Sequence, residues 1–330
     1  MTKATNLEKL DSIGVSVPPF KIFNVVDVST KKEFSKVFRD WLEDNIASEY
    51  TGKFSVRSSG SVSTPGRMRT YLSVKNSLYM LTEAGTKVYK SSKGSTVLSY
   101  LELKGVKDFK LDIVIQAMVY GDSTDTSCSG VLVTRDPITN EDSLYGEIRF
   151  NSVGEGLMSG KVTPEPLINL REVNPKGYND LVKQVEKIKS HYQSPQEIEF
   201  VVEGEKAWIL QTRDYKWVQT FLLDFDHNNL IAKGRAATPI STIGRITYSK
   251  DSINADSIYI SRETDWEDTA DILKGRGVIT VNGGSLSHAA IIAREFELPC
   301  ITGIGEESLE LLPEAMTIGM DSNGGIYEME

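Results

Sequence analysis

Cysteine is nearly absent from this chain: the 330 residues include two, Cys128 and Cys300. One disulfide is the most they can form, which excludes a disulfide framework and a cysteine-rich zinc site. The expectation is two reduced, buried thiols in a cytoplasmic protein. Histidine is scarce as well, with His191, His227 and His288 the full set of three. Any histidine chemistry must use one of them. No apolar run approaches the roughly 18–20 residues that cross a bilayer, so no membrane partner is expected. The opening Met1-Thr2-Lys3-Ala4-Thr5-Asn6 has no following apolar stretch and does not read as a signal peptide. Positive charge is in deficit, with 37 Lys and Arg against 46 Asp and Glu for a net −9. No long basic cluster offsets this, which argues against nucleic acid as a partner. Internal repeats and low-complexity tracts are lacking too.

What is present suits a globular chain, with 39% hydrophobic and 25% charged residues. The length accommodates two domains, each with its own core. A polar break runs through Asp224, Asp226, His227, Asn228 and Asn229, after the strand-like Ala207 to Arg213. It suggests domains at 1–220 and 221–330. The first region mixes strands and helices. Phe20 to Val26 reads as a strand after the Pro18-Pro19 turn. Lys31 to Ile46 has helical spacing, with Phe34, Val37, Phe38, Trp41 and Leu42 on one face. Ile113 to Tyr120 and Gly130 to Thr134 read as buried strands, and Tyr178 to His191 as a helix. The second region starts β-rich and ends α/β.

Gly277-Val278-Ile279-Thr280-Val281 is a short β-branched run, hence a buried strand. Asn282-Gly283-Gly284 is a turn signal. Ala289, Ile292, Ala293 and Phe296 then fall at helical spacing, with Ser287 a candidate N-cap and Pro299 marking the end. His288 therefore sits on the first turn of a helix behind a glycine turn. The first turn offers unpaired amides and the positive end of the dipole, both favourable to phosphate. An imidazole there can act as a nucleophile, and the local positive potential favours its neutral form. Position alone also fits a capping or packing residue.

The longer string Gly283-Gly284-Ser285-Leu286-Ser287-His288-Ala289-Ala290-Ile291-Ile292-Ala293-Arg294, followed by Leu298-Pro299-Cys300-Ile301-Thr302-Gly303, resembles the phosphohistidine motif of the phosphoenolpyruvate-utilising enzymes. That family includes pyruvate phosphate dikinase and phosphoenolpyruvate synthase. Ile258 to Thr264 is similar to the family's preceding strand. The resemblance implies that His288 carries a phosphoryl group in a swivelling β/β/α domain. One position departs: Leu286 stands where the dikinases usually have Thr or another small residue.

Phe54-Ser55-Val56-Arg57-Ser58-Ser59-Gly60-Ser61-Val62-Ser63-Thr64-Pro65-Gly66 reads as a strand and a loop of small residues. Such a loop can approach a polyphosphate, and Arg57 can neutralise phosphate oxygens. By itself it also fits an ordinary surface loop. The string resembles the phosphate-binding loop of the dikinase ATP-grasp domain, but continues as Arg67-Met68-Arg69 where dikinases commonly have Met and Asp. Glu197 to Val202 and Ala207 to Arg213 read as a β-hairpin. A three-residue loop would pair Glu199 with Gln211 and Glu197 with Arg213, and gather the four on one face. Paired carboxylates suit Mg²⁺, and Arg213 suits charge on a transferring phosphoryl group. A solvated polar face is the alternative. The arrangement resembles the family's metal- and ATP-binding hairpin.

The resemblance further implies that Lys3 contacts ATP phosphates, that Gln116, Met118 and Val119 line the adenine pocket, and that Glu155 follows the family pattern, as do Arg135 and Glu147. It implies an α/β (α+β) chain: an ATP-grasp domain with ATP and Mg²⁺, then the swivelling phosphohistidine domain. Arg57, Arg213 and His288 would be catalytic, with Ser59, Gly60, Glu199 and Gln211 among the nucleotide contacts. The segment from Tyr71 to Asp112 is shorter than in dikinases. The family's C-terminal barrel for pyruvate or phosphoenolpyruvate is expected to be missing. The expected activity is dikinase-like phosphoryl transfer from ATP through His288 to a partner protein, a small molecule or water. A non-catalytic ATP-binding regulator and one subunit of a split dikinase are the alternatives.

Overall fold

The computed structural model describes residues 2–25, 30–46, 52–62, 68–103, 105–136, 141–153 and 163–329. Helix α1 (Lys3–Ser12) opens it, and Thr2 and Thr5 close a reciprocal capping box at its start. Strand β1 (Phe20–Asn24) follows the proline turn. Helix α2 (Lys31–Asn45) starts at Thr30, whose side chain accepts from the Glu33 N–H. The helix buries Phe34, Phe38 and Leu42, with Val37 and Trp41 packed beside them. Strands β2 (Lys53–Gly60) and β3 (Tyr71–Lys75), helices α3 (Leu78–Ser92) and α4 (Ser95–Leu103), and strand β4 (Leu111–Ala117) complete this part. The short stretch from Tyr71 to Asp112 thus still holds two helices.

The four strands form a sheet in the order β1-β4-β2-β3, and each adjacent pair is antiparallel. Its two faces differ. Phe54, Val56, Ile113 and Ile115 point into the main core with Phe34, Phe38, Leu81 and Val88 of α2 and α3. Alternation sends Val114 to the other face, where it meets Ala4 and Leu7 of α1.

Two compact units emerge. The first is Met1–Val119 with Trp208–Arg213, and the second is Tyr120–Ala207 with Asp214–Glu330. The boundary expected at 220 falls inside the second unit. That unit holds β5 (Cys128–Val133), β6 (Tyr145–Phe150) and β7 (Glu165–Pro166). Helices α5 (Ile168–Val173) and α6 (Pro175–His191) follow, then β8 (Gln196–Glu203). The strand order is β7-β6-β5-β8. One face is apolar, with Leu132, Ile148, Ile198 and Phe200 all buried. Helix α6 packs on that sheet so closely that a Cβ at Gly177 would meet Val202.

After β8 the chain turns at Gly204-Glu205 into β9 (Lys206–Asp214). Gly204 adopts φ +60°, as a two-residue hairpin turn requires. The turn is one residue shorter than expected.

The rest of the second unit is built on one eight-stranded sheet. Its strands are β10 (Leu230–Lys233), β11 (Arg235–Ala236), β12 (Thr242–Thr247), β13 (Ser257–Ser261), β14 (Gly277–Thr280), β15 (Cys300–Thr302), β16 (Thr317–Met320) and β17 (Gly325–Glu328). The order is β10-β17-β16-β12-β13-β14-β15-β11, and β12 to β15 run parallel. Short helix α7 (Thr269–Ile272) precedes β14, and α8 (His288–Phe296) lies between β14 and β15. This strand–helix–strand connection delivers His288 to the start of α8. Among the described residues, no helix is long and apolar enough to cross a membrane.

Candidate active site

In the first unit the expected nucleotide contacts gather on the α1-facing side of the sheet. Arg57 lies opposite Val114, Ser59 opposite Asp112 and Ser55 opposite Gln116. Directly opposed residues share a face, so Arg57, Ser59 and Gln116 lie on the side away from the α2–α3 core. Helix α1 begins at this face, where its Ala4 N–H donates to Ser59 Oγ at 2.9 Å. Lys3 is the first residue of that helix. The Asn6 amide donates to the Thr212 carbonyl at 2.8 Å, which places β9 residues Gln211 and Arg213 beside the same helix. Met118 and Val119 end the unit, with the Met118 N–H donating to the Lys53 carbonyl.

Strand β2 continues to Gly60, so Ser59 and Gly60 lie on the strand that leads into the small-residue stretch. A Cβ at Gly60 would overlap the Phe109 ring. Its missing side chain serves packing. Residues 63–67, including Arg67, lie outside the described residues, as does Glu155.

Two buried amide atoms on this unit, Gln116 Nε2 and Gln211 Oε1, have no hydrogen-bond partner among the described residues. Leaving a buried polar atom unsatisfied costs about 1–3 kcal/mol. A nucleotide, whose base donates and accepts and whose phosphates accept, could satisfy both, so this donor and this acceptor fit a nucleotide.

In the second unit the register aligns three carboxylates. Val131 pairs with Glu147 on one side and Glu199 on the other, and Val133 pairs with Tyr145 and Glu197. Glu147, Glu197 and Glu199 thus share the face opposite Leu132 and Phe200. Glu199 is half-buried, whereas Glu147 and Glu197 are buried. Mg²⁺ is typically held by one or two carboxylates with phosphates and water, so Glu199 with Glu197 fits in kind. Glu197 is shared, however: the Arg294 guanidinium of α8 lies 3.5 Å from its Oε2. Among the described residues, no cluster of three or more His, Cys, Asp or Glu side chains could hold a metal by itself.

The loop that precedes His288 lies on this face. Glu147 accepts from the Ser285 N–H at 2.9 Å and the Leu286 N–H at 3.2 Å. Arg235 of β11 adds an ion pair to the same carboxylate at 3.2 Å. A Cβ at Gly284 would strike Glu147, so the glycine is needed for this approach. Tyr145 and Ser285 share a hydroxyl hydrogen bond of 2.9 Å. Arg294 donates to the Ser285 carbonyl and stands over the Tyr215 ring. Burial pushes the Tyr145 phenol up, with Glu147 adding to the effect, and burial does the same at Tyr215. Both stay neutral hydrogen-bonding groups at physiological pH.

His288 opens α8 behind the N-cap Ser287, as the spacing predicts, although the Ser287 hydroxyl makes no cap bond. The helix ends at Phe296, where Glu297 turns left-handed at φ 56°, two residues before Pro299. The imidazole is 9% exposed. It lies in a narrow crevice lined by Glu263, Thr264, Thr280, Asn282, Ser287 and Ala289. Its Nδ1 and the Thr264 hydroxyl are 3.4 Å apart.

The partners of the loop were not legible beforehand. Glu147 and Ser285 are 138 residues apart, and Glu197 and Arg294 are 97 apart. One signal did exist for Arg294: it is the single Lys or Arg in a helix whose middle is apolar.

Both cysteines are free and buried, as expected. Burial pushes each thiol up to about 12. A thiol reagent at neutral pH should label neither in the folded protein and both after denaturation. Unfolded cysteine titrates near ~8.5, so above that pH the unfolded chain loses protons that the folded one keeps. The stabilisation is complete below the unfolded value and declines as pH rises toward about 12. Urea unfolding at neutral and at alkaline pH should show a lower midpoint in alkali.

Residues 24–175 match the pyruvate phosphate dikinase AMP/ATP-binding domain, and residues 253–325 match the PEP-utilising enzyme mobile domain. Chloroplastic pyruvate, phosphate dikinase 1 of Arabidopsis thaliana is 29% identical over 288 residues, covering 74% of this chain and 30% of its own length. The pyruvate, phosphate dikinase of Rickettsia prowazekii (strain Madrid E) is 30% identical over 275 residues, covering 69% of this chain and 31% of its own. The chain thus spans less than a third of the length of these relatives. Among solved structures, the D-alanine–D-alanine ligase of Helicobacter pylori aligns over 64% of this chain and 53% of its own, at 13% identity and a TM-score of 0.36.

Proposed function

This chain belongs to the PEP-utilising enzymes, joining an ATP-grasp domain of pyruvate phosphate dikinase type to the family's mobile domain, and on that premise we propose that it loads a phosphoryl group from ATP onto His288. The domain boundary at 220/221 is part of this reading. The observation that carries it is the seating of the His288 loop on the sheet face that bears Glu147, Glu197 and Glu199.

Lys3, Arg57, Ser59, Gln116, Met118, Val119, Gln211 and Arg213 would bind the nucleotide, with Arg57 and Arg213 neutralising the transferring phosphates. Gly60, whose missing side chain leaves room for the Phe109 ring, and Glu155 are further proposed contacts. Glu199, with Glu197, would hold Mg²⁺, which supplies charge neutralisation at the phosphate oxygens. The neutral imidazole donates a lone pair to phosphorus. The bond from that phosphorus to the bridging oxygen breaks, and the nucleotide leaves with the electron pair. Attack at the β-phosphorus releases AMP, the outcome expected, and leaves a pyrophosphoryl group on His288, whose terminal phosphate must pass to water or inorganic phosphate to leave the phosphoryl group on the histidine. The protein supplies position and counter-charge. The group then passes to a partner protein, a small molecule or water.

ATP labelled at the β- or the γ-phosphoryl tests this. Incubation with Mg²⁺ should yield AMP and acid-labile label on the protein from the β position. ADP with no protein-bound label contradicts histidine loading, and intact ATP favours a binding protein without catalysis.

A further inference from the structure

The seat of the His288 loop includes a contact that phosphoryl chemistry does not require. Leu286 is 2% exposed. It closes a buried cluster with Val131, Val133 and Tyr215, with Tyr145 and Trp217 packed at the edge. Val131 and Val133 are the central members of the two rows that carry Glu147 with Glu199 and Tyr145 with Glu197. The leucine therefore sits among the carboxylates, on an apolar strip of the face that bears them. Polar contacts surround it: Glu147 takes the two loop amides, Tyr145 meets Ser285, and Arg294 takes the Ser285 carbonyl.

These two kinds of contact contribute differently. When the loop lifts, water can replace the hydrogen bonds, so their net contribution is modest. The apolar side chain has no such replacement, because lifting exposes it and the strip beneath. Leu286 is two residues from His288, so whatever seats the leucine also places the imidazole.

We propose that Leu286 is an apolar catch, a positioning residue that holds the His288 loop on the acid-bearing sheet face. The docking part stands on the packing alone. Its consequence for loading rests on the proposed function. The polar ring fixes where the loop lies, and the leucine sets how much of the time it lies there.

Two measurements on Leu286→Ala, Leu286→Thr and Leu286→Met test it. Backbone hydrogen exchange over 283–290 reads docking. Single-turnover formation of protein-bound phosphate from ATP reads the consequence. In the Ala and Thr variants, loop exchange should rise about tenfold or more, in keeping with the loss of a buried leucine. Exchange in strands β13 and β14 should match wild type, which separates undocking from general unfolding. Loading should slow by a similar factor while the KM for ATP changes little, and Met should restore both. Wild-type exchange in Leu286→Ala overturns the catch. Freed exchange with unchanged or faster loading overturns the positioning role. A wild-type protein that takes up no phosphate overturns the proposed function, and exchange alone then decides the catch.

Discussion

Replacing His288 with alanine should abolish covalent phosphate on the protein and reduce ATP cleavage by about 10⁴-fold or more, as expected for loss of an obligate nucleophile. Alanine is a strong helix former, so α8 should persist. Contacts of Ser285, Leu286 and Arg294 hold its start and remain in the variant. Thermal unfolding should therefore change little. Nucleotide affinity should also be retained, since the expected contacts on the α1-facing sheet side belong to other residues. Equilibrium binding of ATP and a turnover assay on the same preparation check both halves. Cleavage that survives in this variant would move the chemistry off the histidine.

The second large effect separates two neighbouring acids. Glu197 and Arg294 are an ion pair with side chains 4% and 5% exposed. Removing one member strands the other charge in a buried site, a loss of about 3–5 kcal/mol. Glu197→Ala should thus lower the unfolding midpoint strongly and loosen the loop through Arg294. Glu199 is half-buried on the same strand face. Glu199→Gln keeps the shape, so stability should stay near wild type while the Mg²⁺ concentration needed for loading rises at least about tenfold. Urea unfolding and Mg²⁺ titration of the loading rate distinguish them. Equal destabilisation by both variants would contradict the division of labour.

Local pattern announced some of this architecture and missed the rest for identifiable reasons. Helix α2 was legible because Phe34, Phe38 and Leu42 recur every fourth residue, as one buried helical face demands. The placement of His288 was legible because a β-branched run, a glycine turn and an apolar helix follow one another within about twenty residues of one another. Helix α1 was not, since its apolar residues are few among polar ones, and it is fixed by packing on Val114. The hairpin turn was misjudged because Gly204-Glu205-Lys206 can serve as two or three loop residues, and only the backbone decides. The end of β2 at Gly60 could not be drawn from sequence, because its last residues, Ser58, Ser59 and Gly60, are as small as those that follow yet pair with β4. Leu286 stood out as a substitution within a motif. Its partners Val131 and Val133 come from a distant strand that no local window includes.

The central claim is that a phosphoryl group resides on His288, and the scarcity of histidine makes it directly testable. The protein is mixed briefly with ATP and Mg²⁺, digested under neutral conditions that preserve phosphohistidine, and each histidine peptide is mapped by mass spectrometry. A phosphoryl group on the His288 peptide, lost on acid treatment, is the result expected. Cleaved ATP alongside an unmodified His288 peptide, or a phosphoryl group on His191 or His227 instead, would contradict it.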